Sequence, residues 1–137
     1  MWSSGSKTSV ETAANAMTID HEIDHTNRAV FVTISGELSD HGLLAVADLI
    51  EQIPGITKDF SILFDLRSAD GQKVTSEGVR VAASRPHILS PDSRRGIVVP
   101  SLLGFGMARM YQLFRGATTT RVFMDYDKAR RWVETGL

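Results

Sequence analysis

Strand-like runs alternate with helix-patterned segments along this chain, and that alternation restricts its possible folds. Residues 17–24 and 28–34 are rich in β-forming residues and are separated by the turn-forming trio His25-Thr26-Asn27, which predicts an antiparallel hairpin. Each later strand-like run precedes a segment with helical periodicity, and capping residues predict helix starts near Ser39 or Asp40, Thr75, Ser101 and Asp125. Such alternation is typical of parallel strands covered by helices. We therefore expect an α/β fold, a mostly parallel sheet with an antiparallel edge strand and about four helices.

The length and composition fit one domain. The 137 residues are 42% hydrophobic, which is enough for one core. Residues 1–16 are rich in Ser, Thr, Ala and Gly without apolar periodicity, so we expect them to be a disordered tail outside a domain of residues 17–137. The chain has no cysteine, which excludes thiolate catalysis and Cys-ligated zinc. It shows neither a signal peptide nor an apolar run long enough for a transmembrane segment, and we expect a cytoplasmic protein.

The net charge of −1 conceals an uneven distribution. Acidic residues predominate in residues 1–72, and basic residues predominate in residues 73–137. In one domain this predicts a mixed exterior, while the alternative is a basic surface for an anionic partner or for self-association, formed by Arg80, Arg85, Arg94, Arg95, Arg109 and Arg115. Nucleic acid is a disfavoured partner, because the isoelectric point is near 6.4 and the aromatic residues are not interleaved with the basic ones.

A functional site is expected first at the polar segment after the buried strand of residues 60–66. The segment places acids, hydroxyls and a helix start at the carboxyl end of a strand, where open α/β sheets bind ligands. The predicted interaction or anion-binding loop consists of Asp65, Arg67, Ser68, Asp70, Thr75 and Ser76.

A second candidate is the apolar helix predicted over residues 102–114. It carries too many apolar positions for a single stripe, so some of them must contact something other than the sheet unless the helix is deeply packed in the core. If this helix has a functional role, it forms a dimer interface or one wall of an apolar ligand groove. The residues predicted for this face are Phe105, Met107, Met110, Tyr111 and Phe114.

The sequence offers little for catalysis. The four histidines are scattered without metal-ligand spacing, no Gly-x-Ser-x-Gly turn is present, and no glycine-rich phosphate loop follows a strand. We therefore expect neither catalytic residues, nor a metal site, nor a cofactor.

The order of the elements and five short motifs resemble a STAS domain, more closely its small bacterial SpoIIAA-like branch, which shares its fold with SEC14-type lipid-binding domains. The resemblance covers roughly residues 17–137 and implies a SpoIIAA/STAS-like sandwich. The motifs are Gly36-Glu37-Leu38, Leu63-Phe64-Asp65-Leu66, Thr75-Ser76-Glu77-Gly78-Val79, Arg95-Gly96-Ile97-Val98-Val99-Pro100-Ser101 and Val122-Phe123.

In the anti-sigma-factor antagonists of that family, the helix after the central strand begins Asp-Ser-Ser-Gly and its first serine is phosphorylated by a partner kinase. By position, the resemblance makes Ser76 the phosphoacceptor candidate. Thr75 replaces the aspartate and Glu77 the second serine, and an acid after the serine would repel a phosphate. Helix capping by Thr75 and Ser76 is therefore the favoured prediction.

Two functions follow, and the first is favoured because the motifs resemble those of a regulatory family. The first is a non-enzymatic STAS-like regulatory or protein-interaction module, with another protein or a second copy of itself as partner. The second is a small carrier or sensor of an apolar or lipid-like ligand in a SEC14-like pocket, with Arg109 or Arg115 near an acidic headgroup.

Overall fold

The computed structural model describes residues 3–12, 15–86, 88–115 and 119–137, with side chains from Met17 onward except those of Leu103 and Phe105. The described strands are β1 (Ser3–Thr12), β2 (Asn15–Asp24), β3 (Ala29–Ser39), β4 (Ser61–Lys73), β5 (Arg95–Val98) and β6 (Thr120–Phe123). The described helices are α1 (Asp40–Glu51), α2 (Ser76–Ser84), α3 (Leu102–Arg115) and α4 (Tyr126–Thr135).

The strands form one sheet in which each strand lies beside its neighbours in sequence, in the order β1-β2-β3-β4-β5-β6. The β1–β2 and β2–β3 pairs are antiparallel, and the three remaining pairs are parallel. The predicted α/β fold and the hairpin of β2 and β3 are thus confirmed. The expected antiparallel edge strand is β1 rather than β2.

The prediction that residues 1–16 lie outside the fold differs from the structure, because Ser3–Thr12 pairs with β2 along its whole length. A strand whose residues are mostly Ser, Thr and Gly shows no apolar alternation, so its backbone pairing leaves no periodic signal in the sequence.

The two faces of the sheet carry different helices. On the front face, α1, α2 and α3 pack against apolar residues of β2–β5, including Val30 and Ile62. On the back face, Ala129, Trp132 and Val133 of α4 pack against a second cluster formed by Ala29, Phe31, Leu63 and Val98. The approach of α4 is close, because a Cβ at Gly96 would lie 2.8 Å from Leu63 Cδ1 and 3.0 Å from Val133 Cγ2.

The starts of α1, α2 and α4 follow the predicted capping chemistry, and at α2 the cap is Thr75 and not Ser76. The Ser39 hydroxyl accepts a bond from the Gly42 N–H at 3.1 Å, and the Thr75 hydroxyl accepts one from the Gly78 N–H at 3.0 Å. These bonds satisfy N–H groups that have no partner within their helices. The described helices include none that is long and apolar enough to cross a membrane.

The polar segment after residue 66 was wrongly predicted as a loop. β4 continues to Lys73 because β3 extends to Ser39 and provides a partner for it, with irregular pairing between Thr33 and Ser35 and between Glu37 and Ser39. The neighbouring backbone overrides the turn preference of the local residues.

Candidate functional site

A cavity of about 760 Å³ lies between the front face of the sheet and helices α1, α2 and α3. This volume is within the range of small-molecule sites, roughly 300–1,000 Å³. Apolar side chains from three strands and three helices line what we call the front cavity, among them Ile34, Val46, Phe64, Val79, Ile97 and Met107.

The exposed residues of the cavity lining lie at one end. Asp70, Gly71 and Gln72 come from the end of β4, and Pro100 and Ser101 precede α3. The Asp70 carboxylate accepts a bond from the Gln72 N–H at 3.0 Å. These five residues form the mouth of the front cavity, which therefore opens between β4 and the start of α3.

The predicted apolar face of α3 is divided between several environments. Met107 and Tyr111 line the front cavity, whereas Met110 packs against the front core without lining it. Phe114 is 47% exposed. The side chain of Phe105 lies outside the described residues.

The predicted loop site is not one site. Asp65 and Arg67 share the back face with α4, where the Arg67 guanidinium lies 4.4 Å from the centre of the Tyr126 ring. Asp70 lies at the cavity mouth and Ser68 is exposed on β4. Thr75 caps α2.

Asp65 is a buried carboxylate with a local partner. It is 7% exposed, and Arg67 donates to it from Nε at 2.9 Å, from Nη2 at 2.8 Å and from the backbone at 3.1 Å. Burial alone would raise the pKa of Asp65, but the bonds and charge of Arg67 outweigh burial and hold that pKa below its usual value. The pair is a satisfied structural ion pair rather than an open anion site.

The start of α2 already has an anionic partner within the chain. Asp40 of α1 accepts the Thr75 N–H at 2.8 Å and the Thr75 hydroxyl at 2.6 Å. The carboxylate sits so close to α2 that a Cβ at Gly78 would overlap Asp40 Oδ1 and Cγ. Sequence reasoning predicted the cap but missed Asp40, whose partner is 35 residues away.

Ser76, the phosphoacceptor candidate, is exposed at the first position of α2. Its neighbour Glu77 is paired with Arg80, and this hydrogen bond holds the pKa of Glu77 below its usual value. A phosphate on Ser76 would therefore share the start of α2 with the carboxylates of Asp40 and Glu77.

Most of the arginines considered as a basic surface have internal partners. Arg80 and Arg85 pair with Glu77 and Asp48, and Arg94 donates to the Val133 carbonyl. Arg115 donates to the carbonyls of Ala83 at 3.0 Å and Arg85 at 2.9 Å, at the end of α2. Arg109 is exposed on the outer side of α3, so it does not reach the front cavity.

Arg95, which was predicted as part of the basic surface, is instead buried, with 1% of its surface exposed. Its guanidinium donates to the carbonyls of Ser93 at 3.0 Å, Ser90 at 3.1 Å and Leu89 at 3.2 Å. Burial, and then the charge of Arg115, lower the pKa of Arg95 from its usual value. No feature of the sequence around Arg95 distinguishes it from a surface arginine.

The described residues include no group of three or more His, Asp or Glu side chains placed to hold a metal ion.

No protein-family model matches the sequence, and no curated protein matches it. Among solved structures, the chain is similar to the crystal structure of an uncharacterized protein of the DUF3478 family, with a SpoIIAA-like fold, from Shewanella loihica PV-4. The two chains are 17% identical, with a TM-score of 0.58 over 90% of this chain and 98% of the other. The chain has a SpoIIAA-like fold. The resemblance noted in the sequence is thereby confirmed for the architecture, and this likeness shows the fold alone.

Proposed function

We propose that this protein is a non-enzymatic carrier or sensor that binds an apolar, lipid-like ligand in the front cavity, acting in the cytoplasm. The observation that carries the proposal is the cavity itself, about 760 Å³ with predominantly apolar walls. An apolar ligand in this cavity would remove its apolar walls from water, which is favourable by about 25 cal/mol per Å² of apolar surface.

Water is a poor occupant of such a space. The mouth admits water, but buried water needs polar partners, and Ile34, Val79 and Ile97 offer none along the walls. Displacing poorly bound water with apolar groups favours binding. The chemistry of the walls therefore supports an apolar ligand.

A fluorescent apolar probe tests the proposal. N-phenyl-1-naphthylamine is uncharged and brightens in apolar surroundings, so we expect saturable binding at one site per chain. Ala69 of β4 lines the cavity, and Ala69→Phe should weaken binding about tenfold or more by filling part of the space. Leu113→Phe enlarges a side chain that is 71% exposed and should leave binding unchanged.

Absence of saturable binding, or equal binding by both variants, would contradict the proposal. Native mass spectrometry of protein purified from cells provides a second test. The expected result is a noncovalent, lipid-sized adduct that is lost under denaturing conditions.

A regulatory protein-interaction module is the second candidate, favoured by the outer side of α3. Leu102 and Leu113 are 75% and 71% exposed, and their spacing places them on one side of the helix with Arg109 between them. Exposed apolar residues on one helix face fit a protein partner or a homodimer. Leu113→Glu should then reduce the mass measured by light scattering. A monomer mass for both the wild type and Leu113→Glu would exclude a homodimer.

An anti-sigma-factor-antagonist role would further require phosphate on Ser76. Intact-mass measurement of protein from cells tests it, with an expected addition of about 80 Da that Ser76→Ala abolishes.

A further inference from the structure

Three buried polar atoms without hydrogen-bond partners belong to neighbouring residues of β5, β6 and α3. They are Arg95 Nε, Gln112 Oε1 and Thr120 Oγ1, and we call these residues the inner polar cluster. Arg95 and Thr120 are opposite each other on β5 and β6, and Gln112 Nε2 donates to the Thr120 carbonyl. Arg95 is 1% exposed and Thr120 is 2% exposed. Unpaired buried polar atoms are costly, and two of these, Arg95 Nε and Thr120 Oγ1, carry hydrogens that can be donated to an additional binding partner, whereas Gln112 Oε1 can only accept.

The positive charge of the cluster indicates the sign of the charge on that partner. The bonds of the Arg95 guanidinium go to neutral carbonyl groups, and none of the ion pairs of the described residues includes Arg95. Arg115 adds a second positive charge within electrostatic range of Arg95. A buried cation without a counterion is unfavourable, and an anion placed there would compensate it.

None of the three residues of the inner polar cluster lines the front cavity, but the cluster lies next to lining residues of β5 and α3, at the end away from the mouth. Ile97 lines the cavity, and Arg95 precedes it by two residues on the same face of β5, which corresponds to about 6.6 Å along the strand. Tyr111 also lines the cavity, and it lies one helical turn before Arg115 on α3. Beyond the inner end of the cavity, a bound apolar chain would thus meet a positively charged region that carries hydrogen-bond donors.

We propose that the ligand is an anionic amphiphile, bound with its apolar chain in the front cavity and a carboxylate-sized headgroup at Arg95 and Thr120. This inference rests on the proposed ligand-binding function and specifies the class of ligand. The orientation follows from charge, because Asp70 at the mouth would repel an anionic headgroup whereas Arg95 and Arg115 attract it.

Competition between two ligands with the same chain tests the proposal. Dodecanoate and dodecan-1-ol, both below the concentration at which they aggregate, are titrated against bound N-phenyl-1-naphthylamine. A charge-assisted hydrogen bond in a buried site should make dodecanoate bind about tenfold or more tightly than dodecan-1-ol. Arg95→Met should abolish that preference, and the matched control Arg109→Met should retain it because Arg109 is exposed on α3.

The outcomes separate the two proposals. Probe binding with equal affinities for dodecanoate and dodecan-1-ol would overturn the headgroup site and leave the apolar carrier intact. Absence of binding by the probe and both ligands would overturn both. If Arg95→Met does not fold, the wild-type affinity ratio still decides the matter, and Thr120→Val should lower that ratio by about threefold or more through loss of one hydroxyl donor to the carboxylate. A preference that survives both variants would refute the assignment to this cluster.

Discussion

Replacing Gly78 with alanine should destabilise the protein, although alanine is the better helix former. Gly78 lies in the first turn of α2, where the Asp40 carboxylate occupies the position that a Cβ would take. The methyl group would displace this carboxylate from the Thr75 N–H and hydroxyl, to which it is bonded at 2.8 and 2.6 Å. The substitution therefore breaks the link between α1 and α2.

The two hydrogen bonds between Asp40 and Thr75 set the size of the expected loss in stability. At about 1.5 kcal/mol for each hydrogen bond to a charged group, Gly78→Ala loses about 3 kcal/mol. Alanine regains about 1 kcal/mol through its helix propensity, so we expect a net loss near 2 kcal/mol in the free energy of unfolding. In an Asp40→Ala background the bonds are already absent, and Gly78→Ala should then stabilise the protein by up to about 1 kcal/mol.

Urea unfolding monitored by circular dichroism measures the four proteins of this double-mutant cycle. Gly106→Ala is a matched control, because a Cβ at Gly106 in α3 meets no atom within 4 Å and should stabilise the protein in either background. An equal cost of Gly78→Ala with and without Asp40 would refute the reasoning, since the carboxylate would then not be the obstacle.

Two further predictions concern arginines with internal partners. Arg67→Ala should raise the pKa of Asp65, measured by NMR titration, because burial would no longer be opposed. In the wild type the lowered pKa makes Asp65 stabilising above its unfolded value, about 3.9, and this contribution is lost as the pH falls through the folded value. Arg67→Ala should therefore cost more stability at pH 7 than at about pH 4, and an equal cost would contradict this origin. Arg115→Met should lower the free energy of unfolding by about 1–2 kcal/mol through loss of its bonds to the end of α2. The control Arg109→Met should change that free energy by less than about 0.5 kcal/mol. Similar losses in both variants would show that the bonds of Arg115 to α2 do not stabilise the protein.

The sequence predicted those elements whose causes are local. Ser39 and Thr75 lie at the helix starts because a side-chain oxygen there bonds an N–H three residues later, and that chemistry requires no tertiary information. The hairpin of β2 and β3 was predictable for the same reason, since a polar turn separates two alternating runs.

Features that depend on distant partners were missed. Ser68 and Gly71 have the composition of a loop, yet they lie on a strand because β3 extends beside them. Arg95 was interpreted as a surface cation, because sequence does not reveal that the carbonyls of Leu89, Ser90 and Ser93 converge on its guanidinium. In both cases the deciding atoms belong to a neighbouring segment.

The front cavity illustrates why an apolar helix alone cannot define a site. An excess of apolar residues on α3 was compatible with core packing, an interface and a ligand wall, because all three remove the same kind of surface from water. The structure separates them by direction: Leu102 and Leu113 face outward, while Met107 and Tyr111 face the cavity. How α3 is oriented depends also on contacts outside the cavity, among them the bonds of Arg115 to the carbonyls of Ala83 and Arg85 at the end of α2. Because residues that do not line the cavity contribute to that orientation, the pattern of the lining residues alone could not have predicted the site.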